Sequence, residues 1–84
     1  MRRLTDRLNL AKSVLHELQI QQLSRTSLEQ NVIRKFNGVH ATHATFEGIF
    51  RFLIQDEYIA KTAANHRALY AITEKGTKFL GALD

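Results

Sequence analysis

The chain has 84 residues, with twelve Lys and Arg against eight Asp and Glu, a net charge of +4, and neither Cys nor Pro. A compact fold of this size exposes about 5,100 Å² of the roughly 14,000 Å² open in the extended chain. One domain over residues 1–84 with one small core is therefore expected, which excludes a two-domain enzyme or a fold built from several βαβ crossovers. Without cysteine there is neither a disulfide framework nor a cysteine-based zinc site, and a reducing, cytoplasmic setting fits. No apolar run is long enough to span a membrane. Asp6, Asn9 and Lys12 interrupt the basic N-terminus, so it does not read as a secretory signal.

In chain order, Leu4, Leu8, Ala11, Leu15 and Leu18 recur at helical spacing, with Leu10 and Val14 on the same side. Together they cover an arc of about 160°, wide enough for a core helix. Thr5 suits its N-cap and Asp6 complements the helix dipole. Ile20 and Leu23 fall off the stripe, so this helix ends near Gln19–Gln22. Leu23–Arg25 reads as a connector or a very short strand. Thr26-Ser27-Leu28-Glu29 fits the capping box, with Leu28, Val32 and Phe36 on one face of a second helix and Asn37-Gly38 closing it. Thr42 caps a third helix whose core face is Phe46, Ile49, Phe50 and Leu53. Two helices joined by so short a turn make a helix-turn-helix unit.

The period then changes. Ile59–Thr62 and Leu69–Ile72 read as short strands of a hairpin, with Tyr70 and Ile72 on one face. Thr73 caps a final helix with Gly76, Phe79, Leu80 and Leu83 on one side. Gly76 costs about 1 kcal/mol relative to Ala in a helix, and close approach to another element is the reason expected for it.

The surplus charge is uneven. Residues 1–25 carry five cations against two carboxylates, residues 26–58 three against four, and residues 59–84 four against two. The positive charge sits at the two ends of the chain, and the middle is nearly neutral.

The order α-α-α-β-β-α, with Phe46-Glu47-Gly48-Ile49-Phe50-Arg51-Phe52-Leu53 leading to Tyr58-Ile59 and then Tyr70-Ala71-Ile72-Thr73-Glu74-Lys75-Gly76, resembles the winged helix-turn-helix family. Within it, the stretch looks like small archaeal transcriptional regulators and chromatin-associated DNA-binding proteins. The resemblance covers nearly the whole chain. It implies an α+β fold with a three-helix core, a two- or three-stranded β wing and a short C-terminal helix. In this family the third helix usually ends in a leucine, three polar residues, glycine and an apolar pair. Here Leu53 and Tyr58-Ile59 match, but Glu57 stands in place of the glycine, where a left-handed backbone would strain it.

The resemblance implies a third helix in the DNA major groove, a groove that admits an α-helix. On its face away from the core lie Glu47, Gly48, Arg51 and Gln55, with His43 and Thr45 near its start. Arg51 can pair with a guanine edge and Gln55 with adenine, Glu47 can accept from cytosine, and Gly48 lets the helix lie close. Ordinary solvated helix residues account for each of these, Arg51 excepted, at least as well. Lys61, Asn65, His66 and Arg67 would form a basic wing on phosphate or minor groove, although a plain polar turn explains Asn65. Arg25, Thr26 and Ser27 place a cation and hydroxyls at the start of the second helix, a setting that favours phosphate. Arg34 and Lys35 either add phosphate contacts or cover a solvated face.

His40 and His43 have a spacing compatible with shared metal coordination, with His16 and His66 as further candidates. Zinc needs four firm ligands or three and a water, so no metal or other cofactor is expected. Ser, His and Asp are scattered without a nucleophile elbow or phosphate loop, which reads as a non-enzyme. Phe52 and Ile54 widen the apolar arc of the third helix beyond what one core needs. Leu10, Val14, Phe79, Leu80 and Leu83 leave apolar surface near the two termini, which the resemblance implies as a homodimer interface, the alternative being a last helix packed on the first within one monomer. The resulting expectation is a double-stranded-DNA-binding transcriptional regulator or chromatin-associated protein. Its rival is a winged-helix module that binds another protein and little nucleic acid.

Overall fold

The computed structural model describes residues 4–36, 42–65 and 67–84, with side chains from residue 7 onward. The elements are α1 (Leu4–Ile20), α2 (Arg25–Lys35), α3 (His43–Gln55), β1 (Ile59–Lys61), β2 (Tyr70–Ile72) and α4 (Glu74–Leu83). The fold is α+β, with four helices and a two-stranded antiparallel sheet, an arrangement compatible with a winged-helix layout. Its accessible surface of 5403 Å² is close to the scaling expectation for a chain of this length.

Helix α1 is the spine. It packs on α2, α3, α4 and β2, and its stripe residues Leu10, Ala11, Val14, Leu15 and Leu18 are buried. Leu28 and Val32 of α2, with Phe46, Ile49, Phe50 and Leu53 of α3, complete the centre. Phe46 and Phe50 stack at 5.5 Å, and Tyr70 of β2 meets Phe50 edge-on at 4.9 Å. The hairpin pairs Ile59 with Ile72, Ala60 with Ala71 and Lys61 with Tyr70. Leu23 adds a one-residue bridge to Tyr70, with Leu23 N–H donating to Tyr70 O at 3.2 Å and Tyr70 N–H to Leu23 O at 2.7 Å. The very short strand before α2 is therefore real, a third strand reduced to one residue.

Helix ends follow their caps. The Thr42 hydroxyl accepts from Thr45 N–H at α3, and the Thr73 hydroxyl accepts from Gly76 N–H at α4. At α2 the capping residue is Ser24, whose side chain accepts from Ser27 N–H, and Thr26 lies inside the first turn. The capping box expected at Thr26 is corrected accordingly: Glu29 does not reach back to the cap but points to Arg25 and His43. Thr5 likewise lies within α1 rather than ahead of it. Helix α2 ends at Lys35 with Phe36 as C-cap, and Asn37-Gly38 lie outside the described residues.

Helix α3 ends in a Schellman motif: Tyr58 N–H donates to Leu53 O at 2.9 Å and Glu57 N–H to Ile54 O at 3.0 Å. This closure needs a left-handed residue between them, and Glu57 supplies it with φ 62°. The Thr73 hydroxyl then ties this turn to α4, donating to Glu57 O at 2.7 Å and Tyr58 O at 3.0 Å. Lys75 Nζ donates to Asp56 O at 2.8 Å. Gly76 is buried against the same turn, and a Cβ there would overlap the Tyr58 carbonyl. The close approach expected of Gly76 is thus a backbone crossing between α4 and the end of α3.

One expectation about packing is corrected. Leu10, Val14 and Leu80 are at most 2% exposed within the single chain, because α4 folds back onto α1. They cannot line a dimer interface without dismantling the core. Phe79 and Leu83 are half-buried against it.

Candidate nucleic-acid interface

Helix α3 buries Phe46, Ile49, Phe50 and Leu53 and turns Ala44, Gly48, Arg51 and Gln55 to solvent. Gly48 is in mid-helix, and a Cβ added there would meet nothing within 4 Å. No contact within the fold calls for glycine at this position. Arg51 has no ion-pair partner among the described residues, and its charge helps keep the Glu47 carboxyl ionised. Thr45 is half-buried, with its hydroxyl 2.9 Å from that of Thr42, so it belongs to the cap of α3.

The cation at the start of α2 is occupied. Arg25 Nη1 donates to Glu29 Oε1 at 3.1 Å and Nη2 to Glu47 Oε2, while the guanidinium carbon lies 5.6 Å from the ring centroids of both Phe46 and Phe50. The hydrogen bond to Glu47 is the main reason that the Arg25 pKa is raised. Reciprocally, the hydrogen bond from Arg25 holds the Glu47 carboxyl below the usual range, against the opposing effect of desolvation. His43 Nδ1 lies 2.6 Å from Glu29 Oε2. An ionised carboxylate can only accept, so the ring nitrogen donates. Arg25, Glu29, His43 and Glu47 thus form one network that fixes α3 against α2, and Glu47 does not stand free on the exposed face. Thr26 and Ser27 remain exposed in the first turn of α2.

Arg34 and Lys35 are exposed in the last turn of α2, where they complement the helix dipole. At the hairpin, Lys61 and Arg67 are exposed, and the Lys61 ammonium lies 5.9 Å from the Tyr70 ring centroid. Asn65 Oδ1 accepts from Arg67 N–H at 3.0 Å, a local bond that shapes the turn. His66 and His40 lie outside the described residues. His16 contacts Asp84, and no cluster of three potential metal ligands occurs among the described residues.

Arg7 is the residue that sequence reasoning did not single out. It is exposed on α1 and shares a shallow cavity of about 360 Å³ with Ala44, Thr45 and Gly48 of α3. The signal was its helical spacing: Arg7 stands three, four and seven residues before Leu10, Ala11 and Val14, and so continues their face toward the start of α1. A more apolar surface continues from it along Leu8, Ala11, Ile49 and Phe52. Phe52 and Ile54 are each 37% exposed, and Phe52 adjoins Tyr58 and Phe79, whose rings stack at 4.2 Å. No helix among the described residues is long and apolar enough to cross a membrane.

Compared with known proteins, the chain matches no protein-family model, no curated protein and no solved structure.

Proposed function

We propose that this chain is a winged-helix protein that binds double-stranded DNA, as a transcriptional regulator or a chromatin-associated factor, with α3 in the major groove and the hairpin as its wing. The observation that carries the reading is Gly48. A glycine in a helix interior costs about 1 kcal/mol relative to alanine, and the fold has no packing reason to retain it. A surface against which another backbone or a base edge lies closely supplies that reason. Around it, Arg51 and Gln55 offer donors suited to guanine and adenine edges, with His43 and Thr45 at the start of the helix.

Backbone contacts fall to Lys61, Asn65, His66 and Arg67 of the wing, to Arg34 and Lys35, to Thr26 and Ser27, and to Arg7. Arg25 acts indirectly: it holds α3 on α2 and neutralises Glu47, which removes a charge that would repel phosphate. A homodimer in this reading uses Leu8, Phe52 and Ile54 with the outer edges of Phe79 and Leu83, rather than the interior leucines. The same exposed apolar residues favour the second reading, a winged-helix module that docks on another protein.

The test is fluorescence polarisation on random and genomic duplexes over a salt series. Affinity falls steeply with salt if phosphate contacts dominate. Arg67→Ala weakens binding to all sequences alike and lowers the salt slope by about one, whereas Arg51→Ala flattens the preference among sequences. Absence of binding at low salt gives the case to the protein-docking reading, and identical losses for both variants remove α3 from the reading role.

A further inference from the structure

On the opposite side of α1 from the Gly48 face, a cleft of about 280 Å³ lies between α1 and the end of α2, lined by Asn9, Lys12, Ser13, His16, Lys35 and Phe36. Two independent observations mark it out. Ser13 is only 4% exposed, and its hydroxyl has no hydrogen-bond partner among the described residues. A helical serine ordinarily satisfies its hydroxyl on the carbonyl one turn back, and an unmet buried hydroxyl carries a desolvation penalty. The second is that Lys12 and His16 of the lining already hold a carboxylate: Asp84 Oδ1 lies 3.3 Å from both Lys12 Nζ and His16 Nε2. This i, i+4 pair on α1 is therefore arranged to receive one carboxylate oxygen, and the end of α4 supplies that oxygen internally.

We infer that this cleft binds a small organic acid, its carboxylate taken by Lys12, His16 and Lys35 with the Ser13 hydroxyl donating, and its apolar body against Phe36. The volume is below the 300–1,000 Å³ of ordinary ligand pockets, so the acid is a single ring or a short chain. Phe36 is half-buried and gives the body an apolar wall that a bare inorganic anion does not use. The negative end of the α2 dipole is close by, and Lys35 in its last turn offsets it. Asp84 competes for Lys12 and His16, so acid binding loosens the contact between the end of α4 and α1. The inference does not rest on DNA binding.

The experiment is an amide NMR titration of the full chain with sodium benzoate, with inorganic phosphate as a parallel arm at matched ionic strength. Benzoate is expected to give saturable shifts at Ser13, His16 and Lys35 in the millimolar range. Ser13→Ala and Lys35→Gln are each expected to weaken it about tenfold, the lower end for one charge-assisted hydrogen bond. Ser13→Ala should at the same time raise the thermal midpoint, because it removes an unmet buried hydroxyl. Asp84→Asn should tighten benzoate about threefold by removing the internal competitor. Non-saturating shifts, phosphate binding as tight as benzoate, or unchanged affinity in Ser13→Ala, Lys35→Gln or Asp84→Asn would overturn the assignment.

Discussion

Replacing Gly48 by alanine separates folding from function. The position is exposed in mid-helix, and the added methyl meets nothing within 4 Å. The helix-propensity difference of about 1 kcal/mol is therefore expected nearly in full, as a gain in stability. For a domain of this size 1 kcal/mol corresponds to a rise of roughly 4–8 °C in the unfolding midpoint. If α3 lies against a duplex at Gly48, the same methyl must push it outward and lengthen the hydrogen bonds of Arg51 and Gln55. A loss of about tenfold in affinity, equivalent to about 1.4 kcal/mol, is expected. Circular dichroism melting and polarisation on one preparation give both numbers. A variant that melts higher and binds DNA as well as its parent would refute close approach at this glycine, and with it the main support for α3 as the reading helix.

Other expectations are about the frame. Glu57→Gly should stabilise: a left-handed L-residue costs roughly 1–2 kcal/mol, and glycine returns about half of that through greater chain entropy when unfolded. The net gain of about 1 kcal/mol is read as a higher midpoint, and Glu57→Gln, which removes only the charge, should give a smaller one. Gly76→Ala forces α4 away from the Tyr58 carbonyl and should cost about 3 kcal/mol by urea unfolding, the upper range for overpacking. Glu47 and Asp84 both have lowered pKa values. For Asp84, desolvation pushes upward and hydrogen bonds from Lys12 and His16 prevail. Groups depressed in the folded state stabilise above their unfolded pKa, so stability should hold near neutrality and decline as pH falls below about 4. Arg25→Met leaves Glu29 and Glu47 without their shared cation; it should lower the midpoint more at neutral pH than in acid, where the Arg25–Glu47 pair is lost as the depressed Glu47 carboxyl takes up its proton.

What the residues alone revealed, and what they concealed, has a physical pattern. Thr42 and Thr73 were legible as caps because each stands alone before an apolar stripe, and a cap is a local device. Ser24-Arg25-Thr26-Ser27 offers three hydroxyls within four residues. There the choice fell to Ser24 because Glu29, needed to complete a box at Thr26, is drawn to Arg25 and His43. Arg25 looked like a free phosphate ligand because its second carboxylate, Glu47, is 22 residues away in sequence. Leu10, Val14 and Leu80 were correctly read as apolar faces, but periodicity gives the direction of a face and not what covers it; α4 covers α1. The strain at Glu57 was readable only because a glycine was expected at that place. Ser13, an ordinary helix residue in the sequence, acquired meaning only through burial without a partner.

The seam where Thr73 joins the end of α3 to the start of α4 has a consequence for how the hairpin can vary. Its hydroxyl and amide bond to the Glu57 and Tyr58 carbonyls, and Gly76 crosses the same turn. The two ends of the hairpin are therefore fastened to each other without help from its tip. Ala63, Ala64, Asn65 and Arg67 are exposed, and the tip they belong to can be lengthened, shortened or exchanged while α3 and α4 keep their places. Such a molecule can change what its hairpin reaches through insertion and deletion, and leave the register of its helices untouched.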